Sequence, residues 1–292
     1  MKIARAVFVV LILATAAAAQ QNQPAPAAPA TAVPSRVEAY LRNLYALGPK
    51  FTVKVGEPQA TPIPGLRSVR VEISAEDQAN DLTMYVSDDG RFLVQGELDD
   101  MQADPFAKNR AEMDLSGAPS RGPANAKVVV VEYADLQCPS CRQYFLNLRS
   151  IYPNYPQVRF VFRDLPLTQI HAWALTAGIA GRCIYHKDPA AFWTYADYIY
   201  GHQPEIGPDN IWETVLQQGR VAGYDDASFK ACMAEPAMKA EIDKSVAESD
   251  RLKISNTPTV FVNGRRLVGG DRATLLQFID YELAHVKKTE KP

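Results

Sequence analysis

The sequence predicts an α/β protein in two parts: a small α+β unit, then a larger α/β unit with helices inserted between its strands. Two observations of pattern lead there. In three short runs between residues 51 and 86 apolar residues alternate with polar ones, the period of antiparallel strands. From residue 127 the periods run strand, helix, strand, helical block, strand, strand, helix, an order that makes a layered α/β structure. The third observation is chemical. Cys138-Pro139-Ser140-Cys141 falls between the first of those strands and the first of those helices.

At the start of the chain, Lys2 and Arg5 precede a short apolar stretch that begins at Ala6, and Ala16-Ala17-Ala18-Ala19-Gln20 follows. This pattern predicts a signal peptide over residues 1–19, cleaved near Ala19. Its apolar core is shorter than the ~20 residues that span a bilayer. The mature protein is therefore expected in an oxidising compartment, periplasmic or secreted, where disulfides persist. Residues 20–34 are mostly Gln, Pro and Ala, the composition of a disordered tether.

The small α+β unit is expected over residues 35–103. Ser35 and Glu38 have the spacing of a capping box. Val37, Leu41, Leu44 and Leu47 recur at helical spacing, and Gly48-Pro49 stops the helix. Phe51, Val53 and Val55 alternate, as do Val69, Val71 and Ile73, and again Leu82, Met84 and Val86. Asp89-Gly90 is a hairpin signal. No catalytic cluster is visible here. Residues 104–126, with Pro105, Pro119, Gly122 and Pro123, read as a linker.

The larger unit is expected over residues 127–288. Val128 to Tyr133 is an apolar run broken only by Glu132, as in a central buried strand. Tyr144, Phe145, Leu148 and Ile151 mark the helix after the cysteines, and Val158, Phe160 and Phe162 mark a second strand. The helical block is expected over about 168–254, where Phe192, Tyr195, Ala196 and Ile199 fall at helical spacing. Thr259 to Val262 and Arg265 to Val268 form strands around an Asn263-Gly264 turn. Leu276, Ile279, Leu283 and Val286 stripe the last helix.

Composition narrows the function. The formal net charge is −2, and removing Lys2 and Arg5 with the leader makes it more negative. No long basic run is present, so nucleic acid is not an expected partner. Four cysteines are too few to staple a chain of this length, which can bury a core without them. Each cysteine needs its own explanation.

The run Val130-Val131-Glu132-Tyr133-Ala134-Asp135-Leu136-Gln137-Cys138-Pro139-Ser140-Cys141, with Ser255-Asn256-Thr257-Pro258-Thr259-Val260-Phe261-Val262-Asn263-Gly264, resembles the DsbA-like thiol–disulfide oxidoreductases of the thioredoxin superfamily. The resemblance covers about residues 120–288. It implies a thioredoxin fold with a helical insertion. The segment from Leu82 to Gly96 is similar to the end of the dimerisation domain of DsbC/DsbG-type isomerases. That implies a possible homodimer through the N-terminal domain.

A C-x-x-C pair at a helix start can close into a disulfide and reopen, and the helix N-terminus stabilises a thiolate on its first sulfur. Cys138 is expected to attack and Cys141, one turn inside, to resolve the mixed disulfide. Pro139 suits the first turn, and Ser140 brings no positive charge where family members carry His. A zinc site is the competing reading, but no second C-x-x-C or His pair completes four ligands. No metal and no cofactor are expected. The resemblance implies that Pro258 is cis against Cys138, with Thr257 free to pair with an extended substrate segment. Glu132, if buried, would have a raised pKa and could take the proton of Cys141; solvent exposure at the strand end is the alternative. Asp135 reads as a cap or loop residue, and His171 as a cap or packing residue.

Cys183 and Cys232 lie 49 positions apart in the helical block. A structural disulfide between packed helices is the preferred reading, because neither has a C-x-x-C neighbour. A second redox pair is the other. Three functions follow for the whole chain. The first is an oxidase donating disulfides to secreted proteins and serviced by a membrane redox partner. The second is a dimeric isomerase or reductase. The third, from another class, is an envelope chaperone or binding module with incidental cysteines.

Overall fold

The computed structural model describes residues 32–75 and 78–289. The predicted signal peptide and nearly all of the predicted tether lie outside these residues. The chain divides into two compact units between Asp100 and Met101.

The first unit opens with α1 (Val33–Leu44), followed by β1 (Thr52–Val55), β2 (Gln59–Ala60), β3 (Leu66–Ala75), β4 (Gln78–Ser87) and β5 (Leu93–Gln95). The sheet is antiparallel in the order β1-β3-β4-β5, with β2 also on β3. Alternation puts Val69 and Val71 of β3 and Met84 and Val86 of β4 on one face. Val37 and Leu41 of α1 cover that face. The helix begins before Ser35, with Ala32 at the N-cap position and a proline in the first turn. Pro34 suits that position because its missing N–H has no partner to lose. The capping box therefore does not form. Ser35 Oγ donates to the Ala32 carbonyl, and Glu38 pairs with Arg42 at 2.8 Å.

The second unit starts earlier than its sequence pattern suggests. Within the expected linker lie α2 (Ala107–Glu112) and β6 (Ser120–Arg121). Asn109 and Arg110 of α2 donate to the Gly264 and Asn263 carbonyls, at 2.9 Å in each case. A two-residue strand has no period to read, which hid β6. Its partner is β8 (Val158–Asp164). The sheet order is β10-β9-β7-β8-β6, with β7 (Val128–Ala134), β9 (Thr259–Val262) and β10 (Arg265–Val268). Only β7 and β8 run parallel. The β9–β10 turn has Asn263 at φ 47° and Gly264 at φ 89°, the left-handed pair a tight hairpin requires.

One face of this sheet packs α3 (Pro139–Leu148) and α9 (Arg272–Thr289) through Val128, Val130, Tyr144, Leu148, Leu275 and Ile279. The inserted helices are α4 (Ala174–Lys187), α5 (Ala191–Gly201), α6 (Ile211–Val221), α7 (Asp226–Ala234) and α8 (Pro236–Arg251). Their core is continuous with Cys138, Cys141 and Phe145. The insertion therefore packs against α3 at the cysteines. Close helix contact needs a small residue at Gly219, where an added Cβ would stand 2.7 Å from the Phe229 ring.

Candidate active site

The site is built where β7 ends and α3 begins. Cys138 occupies the N-cap position with extended backbone angles, and Pro139 opens the helix. Cys141 follows one turn later. Cys138 is 7% exposed and Cys141 fully buried, while Pro139 and Ser140 are exposed. A sulfur at the N-cap meets helix amides that have no intrahelical acceptor.

That geometry splits the two thiols. The Cys138 thiol is held down at about 5, first by the hydrogen bond from Cys141 and also by the Ser140 and Cys141 amides. No charge at position 140 is needed for this. The Thr257 hydroxyl pulls the same way without ordinary hydrogen-bond geometry, since Oγ1 is buried and has no hydrogen-bond partner among the described residues. Burial pushes the Cys141 thiol well up, and its neighbour's charge adds to this.

Thr257–Pro258 is a cis peptide leading into β9. The Thr257 carbonyl lies 3.7 Å from the Cys138 sulfur. Next to Cys138 in sequence, Gln137 and Pro139 line a cleft of about 340 Å³ with Arg142, Trp173, Gln203, Pro204 and Ile206. A second cleft, of about 360 Å³, includes Arg163, Arg182, Glu248 and Arg251 and neither cysteine. It is framed by the ion pairs Arg163–Glu248 and Arg182–Asp164.

Glu132 is buried in β7, and desolvation raises its carboxyl to about 8. Its Oε1 has no hydrogen-bond partner among the described residues, and neither do the buried hydroxyls of Tyr144 and Tyr152. When ionised, Glu132 pushes the Cys141 thiol further up, an effect smaller than burial and the neighbouring Cys138.

Cys183 of α4 and Cys232 of α7 are joined as a disulfide, with Cα atoms 5.9 Å apart. Cys183 is completely buried. Among the described residues, no group of three or more His, Cys, Asp or Glu is placed to hold a metal ion. No described helix is long and apolar enough to cross a membrane.

Sequence reasoning missed the residues that grip the loop before Cys138. Asp135 is buried and accepts from the Gln137 and Leu167 amides. His171 contacts the same carboxylate. Gln203 donates to the Leu136 and Cys138 carbonyls at 2.9 and 3.1 Å, and Tyr200 donates to the Asp135 carbonyl. The one local signal was an acidic residue three positions before Cys138.

Residues 115–281 match the family described as Thioredoxin. Residues 15–109 match the Disulfide bond isomerase protein N-terminal domain. The Na(+)/H(+) antiporter NhaA 3 of Salinispora tropica is 37% identical over 146 residues, covering 50% of this chain and 22% of that protein. The match thus spans under a quarter of the antiporter's length. The probable disulfide bond formation protein D of Bacillus anthracis is 30% identical over 171 residues, covering 56% of this chain and 77% of that protein. The solved structure of oxidised BdbD from Bacillus subtilis covers 59% of this chain and 95% of its own, with TM-score 0.53 and 20% identity. That likeness is one of fold, and the second unit has the thioredoxin fold with a helical insertion.

Proposed function

The chain belongs to the thioredoxin family that its residues 115–281 match, and from that premise we propose a thiol–disulfide oxidoreductase acting on the thiols of secreted proteins through Cys138 and Cys141. The observation that carries this reading is the split between the two thiols: Cys138 near 5 and partly accessible, Cys141 raised and buried. The leader-like start and the Cys183–Cys232 bridge support an oxidising compartment outside the cytoplasm, periplasmic or extracellular.

In the oxidase direction, a substrate thiolate attacks the Cys138 sulfur of the closed pair. The Cys138–Cys141 bond breaks, and its electron pair goes to Cys141. A thiolate there is costly to bury, and the protonated carboxyl of Glu132 supplies the proton. A second substrate thiolate then attacks the substrate sulfur of the mixed disulfide and expels Cys138. Its low pKa makes Cys138 a good leaving group and stabilises the reduced protein, which is what makes a dithiol oxidising. The substrate gains a disulfide and the protein holds a dithiol, which a membrane redox partner reoxidises. Thr257 presents backbone to an extended substrate segment. The Cys183–Cys232 bridge serves structure and takes no part in exchange.

The match of residues 15–109 favours a second reading, a dimeric isomerase or reductase. Equilibration of Cys138–Cys141 with glutathione separates the two. A potential near about −120 mV supports the oxidase, and one near about −270 mV a reductase. A solution mass of two chains would support the dimer. Cys138→Ser should abolish exchange, and Cys141→Ser should accumulate mixed disulfides with substrate. Normal turnover by Cys138→Ser would sink the assignment to this pair.

A further inference from the structure

The loop leading to Cys138 is held by side chains that the exchange steps do not use. Asp135 is at the centre. Its Oδ1 accepts from the Gln137 amide at 2.6 Å. Its Oδ2 accepts from the Leu167 amide at 2.7 Å and faces His171 Nδ1 at 2.7 Å. The Asp135 side chain is completely buried, and that of His171 is 14% exposed. Facing an acceptor oxygen, Nδ1 is the nitrogen that donates. The Asp135 backbone N–H points the other way, at the Cys141 sulfur 3.5 Å off.

A buried carboxylate is an expensive way to turn a loop, since desolvating it costs several kcal/mol unless every oxygen is satisfied. This one is satisfied only by donors from two separate segments: Gln137 beside it, and Leu167 and His171 from the loop between β8 and α4. A second tie runs in parallel, from the Trp173 amide to Gln137 Oε1 at 2.7 Å. The arrangement braces one amide, whose peptide is also held by the Leu165 N–H donating to the Ala134 carbonyl at 2.8 Å. That amide is aimed at the sulfur on which negative charge appears when the Cys138–Cys141 bond opens.

We propose that Asp135 and His171 are positioning residues for disulfide exchange: His171 holds the Asp135 carboxylate, and the carboxylate holds the residue-135 amide on the Cys141 sulfur. This rests on the exchange function proposed above. In that reaction the attacking thiolate bonds to Cys138, and the electron pair of the broken S–S bond passes to Cys141. The amide meets that charge with a charge-assisted hydrogen bond, while the proton arrives from Glu132. The pair touches no substrate and acts only through the loop.

The test compares full-length His171→Ala, His171→Gln and His171→Asn with the unaltered protein. Each is oxidised at Cys138–Cys141 and reacted with excess dithiothreitol. Asn places an amide nitrogen close to where Nδ1 stood, whereas Gln reaches toward the Nε2 position. The opening rate should fall about tenfold for Ala and Gln, the equivalent of roughly 1.4 kcal/mol of lost stabilisation. It should return to within about twofold for Asn. A merely structural His would give variants that differ in melting temperature and not in this ordered pattern of rates. If Ala does not fold, the Gln and Asn pair decides alone. Equal opening rates in Gln, Asn and unaltered protein would overturn the inference. An unaltered protein whose closed pair does not react with thiols at all would instead overturn the exchange function.

Discussion

Glu132 sits in β7 between Val131 and Tyr133, and burial alone holds its carboxyl near 8. A carboxyl raised on folding leaves stability intact below its unfolded value and removes it as pH climbs toward the folded one. The penalty is thus absent near pH 4, grows through neutrality and is complete above about 8. Glu132→Gln carries no such penalty and should be more stable by about 3 kcal/mol at pH 7. On the proposed mechanism the same variant has no proton to give Cys141, so exchange should slow by roughly a hundredfold. Urea unfolding of both proteins at pH 4 and pH 8 checks the first claim. Identical differences at the two pH values would show that Glu132 is not titrating in a buried state. At this scale the sequence was informative where chemistry and position coincide. The two cysteines stand at a strand–helix junction, and Glu132 interrupts an apolar strand. The grip of His171 on Asp135 was not legible, because the partners lie 36 positions apart and meet only through the fold.

At the scale of elements, α8 is fastened to the sheet by charge. Glu248 receives Arg163 Nε at 3.1 Å and Nη2 at 2.8 Å, accepts from the Asp114 amide at 2.9 Å, and accepts from the Tyr133 hydroxyl. Both charged side chains are almost entirely buried. Removing one partner leaves the other charge without compensation, so Glu248→Ala should lose about 3–5 kcal/mol. Replacing Arg163 and Glu248 together by apolar residues removes the pair's desolvation penalty but leaves the Asp114 amide and Tyr133 hydroxyl without that acceptor, so it should lose less than Glu248→Ala but not nothing. Chemical denaturation of the single and double variants checks this, and equal losses in both would argue against a desolvated pair. Period and length decide which elements could be read beforehand. The ten-residue β3 and β4 alternate plainly, and α5 shows its apolar stripe. Two-residue β6 and six-residue α2 are too short for a period, and they were concealed among prolines and glycines as a linker. The partial stripe of α1 has a cause in the fold: Leu41 is completely buried, but Leu44 is 47% exposed.

At the scale of the whole molecule, the insertion is long, and a covalent cross-link joins two of its helices, α4 and α7. The Cys183–Cys232 bridge closes a loop with a sequence separation of 49. In the chain-entropy model such a loop stabilises by about 4 kcal/mol. A Cys183→Ala/Cys232→Ala variant should therefore unfold at lower denaturant while keeping thiol exchange at Cys138–Cys141 under native conditions. Loss of exchange by a variant that remains folded would move this bridge from structure into the reaction. The bridge also bears on how each copy comes into being. A new chain carries four thiols, and two of them must surrender electrons before the helical block is stapled. On the proposed function, a finished molecule can accept those electrons, so an unfinished one is its client. Maturation would then be self-seeding. Unstapled copies are completed by their predecessors, so the bridged population should rise faster when mature protein is added.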